Sequence, residues 1–276
     1  TTLEDTPYVF ALVDFGFSDP NDAPANSFAA VTVTSLPLAG SLSYSGSAVL
    51  AGQSISAADI AAGLLRFAPA TNANGTAYAS LGFRVQDDGG TANGGVNRDP
   101  SAQTITIDVT AVNDAPVAVS SAVSGFEDEP YVFAWADFQV SDAHSTDLSI
   151  IVNSLPLDGR LQYSTGATWT PVTVGQVVSR TDIEAGLLCF GPDANESGFD
   201  GYVTAGTGNL KCDYASFSYQ ASDGARLSNQ ATMTIDIVPV VDMPVLSLMD
   251  PPDATGADRE RFHTGWESVA NRNRDA

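Results

Sequence analysis

Along TITIDV (104–109) apolar and polar residues alternate: Ile105, Ile107 and Val109 fall on one face, Thr104, Thr106 and Asp108 on the other. A period of two predicts a strand with one buried face. MTIDIV (233–238) repeats the pattern, with Met233, Ile235 and Ile237 facing inward. AAVTVTSL (29–36), SLSY (41–44) and LGFRV (81–85) read the same way. Between them lie DPNDAP (19–24), TNANG (71–75) and DDGGTANGG (87–95), whose Gly, Pro, Asn and Asp supply turn conformations. Many short strands separated by turns predict an all-β protein built as a β-sandwich, not an α/β sheet. One segment departs from this rhythm. SAADIAAGLL (56–65) and SRTDIEAGLL (179–188) each predict a single helical turn with an acidic cap, stopped by Gly63 or Gly186.

Those two segments are copies, and so is much else. LEDTPYVFA (3–11) returns 123 positions later as FEDEPYVFA (126–134). TSLPLAGSLSYS (34–45) answers to NSLPLDGRLQYS (153–164), and FRVQDDG (83–89) to YQASDG (219–224). TITIDVTAVNDAP (104–116) answers to TMTIDIVPVVDMP (232–244). The order is kept throughout, which marks a tandem repeat. The expected domains are 1–116 and 117–244, with 245–276 a linker or the truncated start of a further domain. Phe67 to Tyr78 is 11 positions but Phe190 to Tyr214 is 24, so the second repeat carries a 13-residue insertion near 191–213. The two cysteines, Cys189 and Cys212, flank it. A disulfide there would staple the loop, by about 3 kcal/mol on the chain-entropy account; two separate buried thiols are the alternative.

Charge narrows the partners. Thirty-three acids face eleven bases for a net charge of −22, and 26 of the acids are aspartate, while Lys211 is the single lysine. Such a surface repels nucleic acid and anionic membranes. It leaves general solubility, an acidic interaction surface, or hard-cation binding by clustered carboxylates. No apolar run reaches 18 residues, so no membrane insertion is expected. The opening TTLEDTP lacks the regions of a signal peptide, and the sequence reads as an excerpt of a longer polypeptide.

AVNDAP (111–116) closing a repeat, the Glu-Asp pair opening it, and DDG or SDG after an aromatic strand together resemble cadherin-type repeats. They are most similar to the bacterial cadherin-like repeats of giant calcium-dependent adhesins, often found with repeats-in-toxin segments. SLPLAGSL and GQSISAADIAAGLLRF also resemble the cadherin-like repeats of chondroitin sulfate proteoglycans. The resemblance covers about 1–244. It implies two tandem Greek-key, Ig-like or cadherin-like β-sandwiches joined end to end, with Ca2+ at the junction. The implied ligands are Glu4, Asp5, Asp59, Asn113 and Asp114 from the upper module, and Asp137, Asp142 and Asp223 from the lower. Asp19, Asp22, Asp87 and Asp88 would face a module further upstream. Ala111 and Ala115 stand where the family's linker has ligating residues, which points to one or two ions, not three. An Asp beside Gly or Pro also serves turns without any metal.

Catalysis has little support. His144 and His263 lie in unrelated contexts, and no metalloprotease, serine-hydrolase or zinc motif occurs. AGTGNLKC (205–212) lacks the spacing of a phosphate loop. The expectation is a monomeric, non-enzymatic, extracellular or cell-surface module whose partners are neighbouring repeats of its own chain. Surface glycan or protein binding is the alternative, through the insertion or the aromatic tail, with Trp169, Tyr202, Tyr214 and Trp266 as stacking candidates.

Overall fold

Strand alternation becomes a pair of sheets in each half of the chain. The structure, a computed structural model, describes residues 1–20 and 24–242. It divides into two units, Thr1–Asn113 and Asp114–Ala276. The expected linker or further domain at 245–276, with His263 and Trp266, lies outside the described residues, as does Asp22.

The first unit runs β1 (Thr2–Leu3), β2 (Tyr8–Val9), β3 (Phe28–Ser35), β4 (Ser41–Tyr44), β5 (Ser47–Ala48) and β6 (Ser54–Ser56). The one-turn helix α1 (Ala57–Ala61), β7 (Leu65–Ala68), β8 (Gly75–Asp87) and β9 (Gln103–Thr110) complete it. One sheet has the order β1-β9-β8-β3-β6, the other β2-β7-β4-β5. Inward residues from the first sheet, among them Val31, Val33, Leu81 and Ile107, pack with Leu42, Leu65 and Phe67 of the second. Each such side chain stabilises by about 1.5–3 kcal/mol on burial.

The second unit repeats the plan with β10 (Val117–Ala118), β11 (Ser121–Phe126), β12 (Tyr131–Val132), β13 (Val140–Ser141), β14 (Ser149–Val152), β15 (Arg160–Ser164) and β16 (Trp169–Pro171). Then follow β17 (Val177–Ser179), helix α2 (Arg180–Glu184), β18 (Leu188–Gly191), β19 (Ala215–Ser222) and β20 (Ala231–Val238). Its sheets are β11-β20-β19-β14-β17 and β12-β18-β15-β16, with a small β10-β13 pair beside them. The chain is therefore a tandem of β-sandwiches.

The helical turns form where the sequence predicts, but their caps are serine hydroxyls and not acids, the aspartates lying in the first turn. Ser56 and Ser179 are the N-caps, accepting from the amides of Asp59 and Asp182. Gly63 and Gly186 follow at φ +72° and +74°, a conformation that stops a helix at little cost only for glycine. Gly40 and Gly159 are stricter still. Both have positive φ, and a Cβ on Gly40 would lie 2.6 Å from the Ala68 carbonyl oxygen, while one on Gly159 would overlap the Phe190 ring.

The insertion has a defined origin. In the first unit Gly75 pairs with Val109 and Ala79 with Ile107, so three residues bulge between them. In the second, Gly198 pairs with Ile237 and Ala215 with Ile235, so sixteen residues, 199–214, occupy the same gap. The thirteen extra residues enlarge an existing β-bulge, a place where a ladder already tolerates surplus chain.

The cysteines correct one expectation: both are free. Cys189 sits mid-strand in β18, between Val132 and Gln162 on the neighbouring strands, and burial pushes its thiol up to about 11. Cys212 is held elsewhere, its amide donating to Thr204 O and its thiol to Tyr202 O. The loop is closed by backbone pairing, with Leu210 N donating to Ser197 O and Tyr214 N to Ile235 O, so it needs no staple.

Candidate functional site

The repeated acidic phrase places a buried glutamate just after β1 in the first unit and just after β11 in the second. Glu4 is 2% exposed and Glu127 1%. Glu4 accepts from Val112 N through Oε1 and from Asn74 Nδ2 at 3.0 Å through Oε2. Glu127 accepts from Val240 N at 2.6 Å. Each carboxylate thus latches a residue two positions past the last strand back onto the end of β1 or β11, a charge-assisted bond stronger than an amide–amide one. Sequence reasoning marked Glu4 as a metal ligand; its latch role, shared with Glu127, was not foreseen. The copied phrase was the available signal.

Most other candidate acids already accept hydrogen bonds, some within their own turn and some from distant parts of the unit. Asp5, at φ +55°, accepts from Asn72 N, and its counterpart Asp128, at φ +64°, from Asn195 N. Asp59 accepts from Ser56 Oγ at 2.6 Å and Tyr44 Oη at 2.7 Å, and these bonds hold it below the ordinary carboxylate range. Asp137 closes a 3-10 turn by accepting from Ala134 N; burial and this carboxylate push the adjacent Tyr131 up to about 12. Asp223 accepts from the amides of Ala225 and Arg226.

Asp142 differs. Its Oδ1 accepts from His144 N at 2.8 Å and Ser145 N at 2.6 Å, while its Oδ2 is buried with no hydrogen-bond partner. Asp114 also approaches this histidine, its Oδ2 4.0 Å from His144 Nδ1. A buried, unsatisfied carboxylate oxygen costs at least about 1–3 kcal/mol, so it is a place where a hard cation or water is favoured. Among the described residues no three His, Cys, Asp or Glu side chains converge as a complete metal centre. The fit to calcium therefore rests on Asp142 with Asp114. Asn113 is exposed beside them in sequence.

A second unsatisfied carboxylate oxygen is Oδ1 of Asp236 on β20. Burial, and then the negative charges of Asp200 and Asp213 within the inserted segment, push Asp236 up to about 6. Of the stacking candidates, Tyr214 is fully buried and Tyr202 packs on Phe199, its hydroxyl paired with Ser197. Trp169 remains 45% exposed.

Residues 113–236 match the family described as Bacterial Ig domain. This span carries all but the last residues of the second sandwich, and the first unit repeats its strand order. Among solved structures, human mucin-like protocadherin EC1-2 is 14% identical, with 87% of this chain and 95% of that one covered, at a TM-score of 0.39. Mouse cadherin-23 EC22-24 is 10% identical at a TM-score of 0.30, and the chain covers 53% of it and 74% of itself. No curated protein matches the chain. Among the described residues no helix is long and apolar enough to cross a membrane.

Proposed function

We propose that the chain is a calcium-rigidified extender or adhesion module of a large bacterial cell-surface or secreted adhesin, non-catalytic and projecting a distal binding domain. The Ig-type sandwich, stated twice in tandem, supports the adhesion-type reading. The observation that carries the cation is the unpartnered, buried Oδ2 of Asp142, with Asp114 4.0 Å from the ring of His144, whose amide Asp142 holds. Bound calcium would supply positive charge to carboxylates that otherwise repel. Asp142 offers the free oxygen, and Asp114 a second carboxylate. Glu4 holds Val112 two residues before Asp114, so a cation on Asp114 fixes the chain just beyond the latch.

Small-angle scattering of the full chain tests this. Millimolar Ca2+ should narrow the distribution of dimensions, EDTA should broaden it, and Asp142→Ala should abolish the difference. Identical curves with Ca2+ and EDTA would sink the rigidification.

A further inference from the structure

The insertion in the second unit changes the surroundings of one aspartate. Asp108 and Asp236 are counterparts on β9 and β20, each between two inward-facing residues of its strand. In the first unit Asp108 is exposed, and its Oδ1 accepts from Ala77 N of the three-residue bulge at 2.7 Å. In the second, the ladder pairs Ala215 with Ile235 and Gly198 with Ile237, so Asp236 stands between the two feet of the insertion. There its Oδ1 is buried with no hydrogen-bond partner. The short bulge caps this carboxylate; the long one covers it and leaves it uncapped.

The charges around Asp236 are unbalanced. Asp200 and Asp213 of the insertion act on it, and among the described residues no base offsets them, Lys211 of the insertion included. On the chain leading in, Asp193 lies against Arg160, and Glu196 accepts from Tyr214 Oη. β11, where Ser124 is the register partner of Asp236, has no ionisable side chain, and the one on β19, Tyr219, is buried in the core. Three like charges in one place repel, and the lowest-energy relief is a proton on Asp236, whose Oδ1 is out of water. The loop that covers it is bonded mainly to itself and to Ser197, through Leu210 N to Ser197 O, Cys212 N to Thr204 O and Asp213 N to Gly206 O. Its ties to β20 are at the feet, where Gly198 pairs with Ile237 and Tyr214 N donates to Ile235 O. Between the feet, Gly206 and Gly208 turn the chain at φ +114° and +116°, at little cost only for glycine.

We propose that residues 199–214 form a pH-gated flap on β20, held down when Asp236 is protonated and loosened when Asp236, Asp200 and Asp213 are all charged. The closed form holds a proton that the open form releases. Its advantage is therefore complete below 3.8 and is lost as the pH rises through about 6. A difference of that size corresponds to about a hundredfold in the closing equilibrium. Asp236 keeps some solvent contact, and screening reduces the change to about tenfold. The inference goes beyond the proposed function and does not depend on calcium.

The test is native-state hydrogen exchange by NMR on the 15N-labelled full chain in calcium-free buffer. Rates are taken at pH 4 and pH 7, corrected for intrinsic exchange, with sub-denaturing urea added in steps. In wild type the amides of Leu210, Cys212 and Asp213 should lose about tenfold in protection between the two pH values. Urea should not accelerate this opening, because a local event exposes little surface. Asp236→Asn should abolish the step, and Asp200→Asn, at an exposed position, should shrink it. Absence of the step in wild type, or an unchanged step in either variant, would overturn the proposal. So would exchange of these amides only through the urea-sensitive unfolding that also exposes the core strands, since the loop would then have no opening of its own.

Discussion

Asp236→Asn should flatten the pH dependence of the second unit's stability. In the folded chain, burial and the charges of Asp200 and Asp213 raise Asp236 from 3.8 to about 6. The folded state therefore holds a proton that the unfolded state has released, and stability falls as pH rises from about 4 through 6. At 1.36 kcal/mol for each pH unit the full difference is roughly 3 kcal/mol. Asp236 keeps some solvent contact, so screening reduces this to about 1–2 kcal/mol. Asparagine never ionises, so the variant should gain about that much over wild type between pH 4 and pH 7. Urea unfolding followed by tryptophan fluorescence reads this directly, because Trp135 and Trp169 lie in the second unit and the first has no tryptophan. Asp59 and Asp99 are held below the ordinary range, so their stabilisation is present above 3.8 and is lost at lower pH, outside the window. Parallel pH profiles for the two proteins between pH 4 and 7 would refute the reasoning.

Glu127→Ala should lower the second unit's stability by about 1–3 kcal/mol, because Val240 N loses its acceptor; chemical denaturation measures it, and an unchanged midpoint would count against the latch. Gly159→Ala combines a left-handed φ of +68° with overlap of the Phe190 ring, and should cost at least about 1–3 kcal/mol, read as a lower melting temperature. In the native chain a thiol reagent should modify Cys212 far faster than Cys189, whose thiol is buried and raised to about 11; urea should equalise them. A native chain with no reactive thiol before reduction would instead indicate a bridge.

The sandwich was legible because alternation fixes which face of a strand is buried. Ile107, Val109, Met233, Ile235 and Ile237 all point inward as their spacing requires. The helical turns were legible too, through Ser-to-Asp spacing and the stopping glycines, though the capping oxygen comes from Ser56 and Ser179 and not from the aspartates. The disulfide was misread because proximity in sequence to an insertion says nothing of side-chain direction across a sheet. Glu4 was assigned by resemblance to a metal; its bond to Val112, 108 residues away, was not legible, because only the parallel β1–β9 contact creates it. Asp5, Asp59, Asp137 and Asp223 show the same limit. A carboxylate's hydrogen bonds, within a turn or, for Asp5, to Asn72, 67 residues away, leave no mark in composition, and only the structure distinguishes these acids from Asp142, whose second oxygen is left over.

The most direct test of the central claim is calcium calorimetry on the full chain, wild type against Asp142→Asn and Asp59→Asn. The account predicts saturable Ca2+ uptake with a rise in melting temperature, lost with Asp142→Asn and retained with Asp59→Asn. No uptake at millimolar Ca2+, or uptake indifferent to Asp142, would contradict it.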